Sequence, residues 1–242
     1  MSLPVINAPE HSVKLFSKKE PVTIRPYLVK EEKILLMAKE SGSEADIETA
    51  VKQIIRNCTF GKLDIESLPS FDLEFLFLQL RARSVNNIIE IHYQCRAQNA
   101  DGEECKQPNA VRIPLDDITI VADPEHKNLV QLASNLTVEM KYPTTQRLQS
   151  LVDIKKTDVE LSVDVIADCI KTLIIENKVY EATDYTKEDL VTFIDGLTLP
   201  QVGEIQKFFD TMPGISYNTT FKCVKCGYTE PLRYKGLMDF FD

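Results

Sequence analysis

The string Cys223-Val-Lys-Cys226-Gly227 constrains this chain more than any other. A Cys-x-x-Cys pair backed by glycine suits a tight turn that presents two thiolates to one ion. A structural zinc ion takes four ligands and favours sulfur, so two more are wanted. Cys95 and Cys105 are available to supply them. Nine residues separate these two, which is wide for a knuckle but natural for a hairpin loop, whose ends lie side by side. Both pairs share one surrounding pattern: strand, Cys, polar turn, Cys, strand. We therefore expect Cys95, Cys105, Cys223 and Cys226 to hold one structural zinc ion in a zinc-ribbon-like module built from about 88–112 and 216–235. Such a site would clip the end of the chain to its middle.

Two other readings compete for these residues. Unligated thiols in a packed interior are the plain one, because free Cys is often buried. A redox pair would need its first thiolate at a helix N-terminus, whereas Tyr228-Thr-Glu-Pro-Leu-Arg-Tyr234 reads as strand. Cys58 and Cys169 fall on apolar faces of expected helices and are assigned to the core.

A chain of 242 residues, 43% apolar and 27% charged, has enough material for a substantial core. Its formal charge is −9, and no Lys/Arg stripe with interleaved aromatics offsets it. Nucleic acid is not expected as a partner, since its binders present a basic footprint. The first residues lack a basic segment followed by a long apolar one, so no secretory signal is expected. The apolar run Leu73–Leu80 is short and broken by Glu74 and Gln79, so no membrane span is expected either. A chain kept in the cytosol keeps its cysteines reduced, which favours metal over disulfides.

Residues 1–20 carry scattered apolar residues without a period and read as an extended N-terminal arm; 21–242 reads as a single domain. Val22 and Ile24 alternate with Thr23 and Arg25, a short strand. Helices are expected at Glu31–Ser41, ended by Gly42, and from the Ser43–Asp46 capping box to Cys58. Phe71–Arg83 is apolar nearly all round, so it should be a central, buried helix. Strands are expected at Ile88–Cys95, Val111–Leu115, Thr119–Ala122, Leu129–Leu132 and Leu136–Tyr142. A short helix follows from Pro143 through Val152, then the longest helix, Thr157–Ile175. A second capping box at Thr186–Asp189 opens Glu188–Leu197, and Pro200 opens another helix. Ser216–Cys223 and Tyr228–Tyr234 close the chain as a hairpin around the knuckle. The fold class is α+β: a helical core with antiparallel hairpins.

No constellation for catalysis stands out. The three histidines are scattered at His11, His92 and His126. A Cys–His hydrolase would consume an expected zinc ligand. Gly-rich phosphate loops and nucleophile elbows are not found, and Arg81 and Arg83 suit the negative end of their helix.

Several strings, in order, carry a resemblance. They are Pro21-Val-Thr-Ile-Arg-Pro-Tyr-Leu-Val-Lys-Glu-Glu-Lys-Ile-Leu-Leu36, Phe71-Asp-Leu-Glu-Phe-Leu-Phe-Leu-Gln-Leu-Arg-Ala-Arg-Ser84, Ile91-His-Tyr-Gln-Cys95, Cys223-Val-Lys-Cys-Gly227 and Gly236-Leu-Met-Asp-Phe-Phe241. This layout resembles the T4-type phage baseplate proteins, the family containing baseplate hub subunits and hub-assembly factors. The resemblance implies a non-enzymatic protein of the host cytoplasm that acts with other phage baseplate hub proteins in building the tail baseplate hub. It implies either a place in the virion or departure after assembly, and it brings no catalytic residues. The arm and the apolar tail Leu237–Phe241 are candidate docking segments; the tail's alternative is to pack back on the domain. The competing function is a zinc-ribbon adaptor that binds a host protein or nucleic acid around Lys222 and Lys225.

Overall fold

The computed structural model describes residues 8–98, 102–144 and 158–240. Its elements in chain order are β1 His11–Val13, β2 Val22–Ile24, α1 Val29–Ser41, α2 Glu44–Cys58, α3 Ser70–Ser84, β3 Ile88–Gln94, β4 Pro108–Pro114 and β5 Thr119–Val121. There follow β6 Leu129–Ala133, β7 Leu136–Met140, α4 Asp158–Cys169, β8 Ile170–Ile175, β9 Lys178–Glu181, α5 Lys187–Asp195, α6 Leu199–Thr211, β10 Gly214–Lys222 and β11 Thr229–Lys235. Among the described residues, helices mixed with four small antiparallel sheets make the fold α+β. Among the described residues, no helix is long and apolar enough to cross a membrane.

The chain forms two compact units. One comprises the described residues up to Ile65, Phe71–Val121 and those from Gly214 onward; the other comprises Glu66–Ser70 and Ala122–Pro213.

In the first unit, local chemistry sets the helix ends. Gly42 closes α1 at φ 67°, a left-handed conformation that glycine adopts without strain. Ser43 Oγ accepts the Asp46 N–H at 3.3 Å and starts α2. Val51, Ile54, Ile55 and Cys58 on α2 are buried, as are Phe71, Leu73, Leu76, Phe77, Leu78 and Leu80 on α3. Each such Leu, Ile or Phe contributes about 1.5–3 kcal/mol of transfer free energy. Asp72 is fully buried on α3. Its carboxylate accepts the N–H groups of Phe16 and Ser17 at 2.8 and 2.9 Å, while the Phe16 ring stands edge-on to Phe71. With Val13 and Leu15 buried and β1 paired to β2, this part of the arm packs on its own unit.

The tail packs back as well. Leu237 and Phe240 are buried, and Phe240 meets the Tyr234 ring at 5.9 Å; Phe241 lies outside the described residues. Glu74 on α3 accepts the Leu237 N–H at 3.2 Å. Burial pushes the Glu74 carboxyl up to about 7, with that N–H pulling down and the nearby Glu48 carboxylate adding to the rise.

The second unit corrects the sequence reading at one place. The helix expected over Thr157–Ile175 stops at Cys169, and Ile170–Ile175 is strand β8, inside the sheet β6-β7-β8-β9. Ile170, Ile174 and Ile175 are β-branched, and β8 hydrogen-bonds to β7 on one side and β9 on the other. Glu176 and Asn177 both take positive φ, 49° and 66°, and join β8 to β9 through a two-residue turn. The short helix expected over Pro143–Val152 falls outside the described residues from 145 onward. The Thr186–Asp189 capping box opens α5 and Pro200 lies in the first turn of α6, as expected. His126 bridges Thr211 Oγ1 at 3.0 Å and Tyr142 Oη at 3.1 Å, with its ring against Phe208. Burial holds its imidazole below the ordinary range, although Asp123 pulls the other way.

Candidate metal centre

Two hairpins of the first unit meet at the cysteines. Gln94 stands opposite Pro108 at the end of the β3–β4 ladder, and the pairing continues beyond it. Cys95 N–H donates to Gln107 O at 2.9 Å, Lys106 N–H to Cys95 O at 3.1 Å, and Cys105 N–H to Ala97 O at 2.8 Å. A bridge between Gln98 and Glu104 extends it further. Cys95 and Cys105 therefore stand on the two facing arms of one hairpin.

Cys223 and Cys226 lie beyond the Lys222–Thr229 pair that ends β10–β11. Cys223 N–H donates to Tyr228 O at 2.8 Å, and Gly227 N–H donates back to Cys223 O at 3.0 Å. Gly227 sits at φ 74°, which explains a glycine directly behind the second cysteine.

All four Sγ atoms lie within 4.8 Å of one another. Cys95 faces Cys226 at 3.7 Å and Cys105 faces Cys223 at 3.9 Å. Metal–sulfur bonds of about 2.3 Å in a tetrahedron place the sulfurs about 3.8 Å apart. A disulfide would need about 2.05 Å, and all six cysteines of the chain are free. The donor set and its spacing thus fit a four-coordinate soft ion, and the cluster could hold one.

Cys95 and Cys223 are buried, Cys105 is half-buried and Cys226 is exposed. Beneath them lies Phe221, packed by Tyr93, Val111 and Leu232, with the Tyr93 ring centroid 4.6 Å from that of Phe221. Tyr93 Oη also donates to Glu230 Oε1, a second link between the hairpins. Burial pushes the Cys95 thiol up to about 12, against the pull of a backbone N–H at Ala97. At Cys105 the Gln107 N–H pulls down, but burial and the Cys226 and Cys223 sulfurs lift the thiol overall. Burial also acts upward on Cys223, yet the N–H groups of Cys226 and Lys225 outweigh it and bring the thiol to about 6. One thiol ionises readily and two resist; a bound cation is what makes joint deprotonation favourable.

Sequence reasoning missed Asn109 on β4. Its Nδ2 donates to Gln107 O at 2.8 Å and approaches Cys223 Sγ at 3.9 Å, and its Oδ1 accepts the Val224 N–H at 3.0 Å. Its partners on the knuckle are 114 and 115 residues away, so no local spacing marks it. Other polar candidates stay apart from the cluster. His92 is exposed on β3, its neighbour Glu90 pairs with Arg112 at 3.0 Å, and Arg83 donates to Gln79 O on its own helix.

A family model described as T4 bacteriophage base plate protein matches residues 8–242. The chain is 23% identical over 221 residues to the baseplate hub assembly protein gp26 of Enterobacteria phage T4, covering 91% of this chain and 92% of that protein. No solved structure matches.

Proposed function

Since the chain belongs to the T4 bacteriophage base plate protein family, we propose that it is a hub assembly factor of a phage tail baseplate. It acts without catalysis, in the host cytoplasm, through contacts with other hub proteins. The observation that carries this reading is the relative named for hub assembly, which aligns over nine-tenths of both chains. The cysteine centre supports a non-enzymatic role: an ion held by four thiolates has no open position for substrate, which is the mark of structural rather than catalytic zinc. Zinc at Cys95, Cys105, Cys223 and Cys226 would staple the β3–β4 hairpin to the β10–β11 hairpin.

The test is co-expression of the full chain with the hub proteins of the same phage, followed by affinity capture and by analysis of mature particles. A complex with a hub protein, together with absence from finished virions, is expected of an assembly factor. Presence in virions would make it a hub subunit instead. Capture of no hub protein, singly or in mixtures, would overturn the role.

A further inference from the structure

Asn109 is a polar residue only 8% exposed, and its amide is engaged at both ends. The nitrogen donates to the Gln107 carbonyl and faces Cys223 Sγ; the oxygen accepts the Val224 N–H. These partners fix which end is which, because a carbonyl cannot donate and a backbone N–H cannot accept. The side chain therefore joins the first hairpin to the Cys223–Cys226 turn without being a ligand.

Burying an amide costs free energy unless its hydrogen-bonding groups are paired, so its placement calls for a reason at the site. A divalent ion held by four thiolates carries a net charge of about −2, which low-dielectric surroundings disfavour. Donor groups aimed at the sulfurs offset that charge. Asn109 aims such a donor, a side-chain N–H of the other hairpin, at the Cys223 sulfur. Outer partners of this kind orient ligands and tune metal affinity.

Resting on the zinc reading above, we infer that Asn109 is a positioning residue of the metal centre. It holds the Val224–Cys226 turn over the ion and stabilises negative charge on the Cys223 sulfur. Metal retention at the closing hairpin thereby depends on a residue of β4.

The test uses the full chain with Zn2+ alone, competed against a chromophoric chelator, and with Co2+ in parallel, whose sulfur-to-metal absorption reports the ligand set. Asn109→Asp keeps the shape and the oxygen that accepts from Val224, but sets a carboxylate oxygen against Cys223. Asn109→Ala removes all three contacts. Both variants are expected to keep the four-sulfur Co2+ spectrum while Zn2+ affinity falls about 10- to 100-fold, with Asp at least as severe as Ala. Should the Ala variant fail to fold, the Asp variant carries the comparison. Affinity within about twofold of the native chain would overturn the role of Asn109 and leave the zinc reading standing. A native chain that takes up neither ion would overturn both.

Discussion

Cys95 and Cys226, 131 residues apart in sequence, face each other with 3.7 Å between their sulfurs. One belongs to the end of the β3–β4 hairpin and the other to the turn that closes the chain. With Cys105 and Cys223 they bring together segments that Tyr93 to Glu230 and Asn109 to Val224 also link. A clip of this kind acts on stability first and on assembly only through it.

Loss of the clip should therefore be a folding defect. Purified protein should carry one equivalent of zinc, and Cys226→Ser or chelation should cost several kcal/mol, which is roughly 10 °C in melting temperature for a chain this size. Elemental analysis and calorimetry with and without chelator check this. A Cys226→Ser variant that melts like the native chain but no longer binds hub proteins would make the knuckle an interface instead.

Glu74 gives a pH dependence of definite sign. Its carboxyl is raised to about 7 in the folded chain, against about 4.5 when exposed. The folded state then binds more protons in that window, so stability is present below about 4.5 and lost as pH rises through about 7. Glu74→Gln keeps an acceptor for the Leu237 N–H without the buried charge. It should stabilise by roughly 1–3 kcal/mol at pH 8 and by little at pH 4.5. Urea denaturation at both values reads the difference, and equal effects at both would contradict it.

His126 acts in the opposite direction. Its imidazole is held neutral by burial, so unfolding takes up a proton below the ordinary histidine value near 6.5. Its contribution is complete above that pH and falls as the solution is acidified towards its folded value. His126→Gln should flatten this limb of the stability curve between about pH 5 and 6.5 while costing about 1–2 kcal/mol at pH 8 through the lost contacts. An unchanged limb would refute the assignment.

Asp72 tests the anchoring of the arm. Its two bonds to the Phe16 and Ser17 N–H groups are charge-assisted and buried. Asp72→Ala should cost about 2–4 kcal/mol and speed tryptic cleavage at Lys14, Lys18 and Lys19. Cleavage at the native rate would mean that the apolar contacts of Leu15 and Phe16 suffice alone.

Much of the fold is legible in the residues because its causes are local. Ser43 with Asp46 and Thr186 with Asp189 start helices within four residues of themselves. The all-round apolar sequence of α3 predicts a buried helix, and its central residues are buried. The sequence predicts helix over Ile170–Ile175 because Ile170, Leu173 and Ile174 also suit a helical face. What decides for strand is hydrogen bonding to β7 and β9, together with the Glu176-Asn177 turn. That turn was the available signal.

The sequence by itself determined the acidic net charge, the helix starts at Ser43 and Thr186 and the glycine behind Cys226, since each depends on composition or on neighbours along the chain. It also nominated four cysteines, through the matching patterns around the two pairs. Only the tertiary structure decided that their sulfurs converge within 4.8 Å, that β8 is a strand, and that Asn109 sits against Cys223. Those outcomes rest on pairings between distant segments, and neither local spacing nor local propensity encodes which distant partner a backbone or side chain will meet.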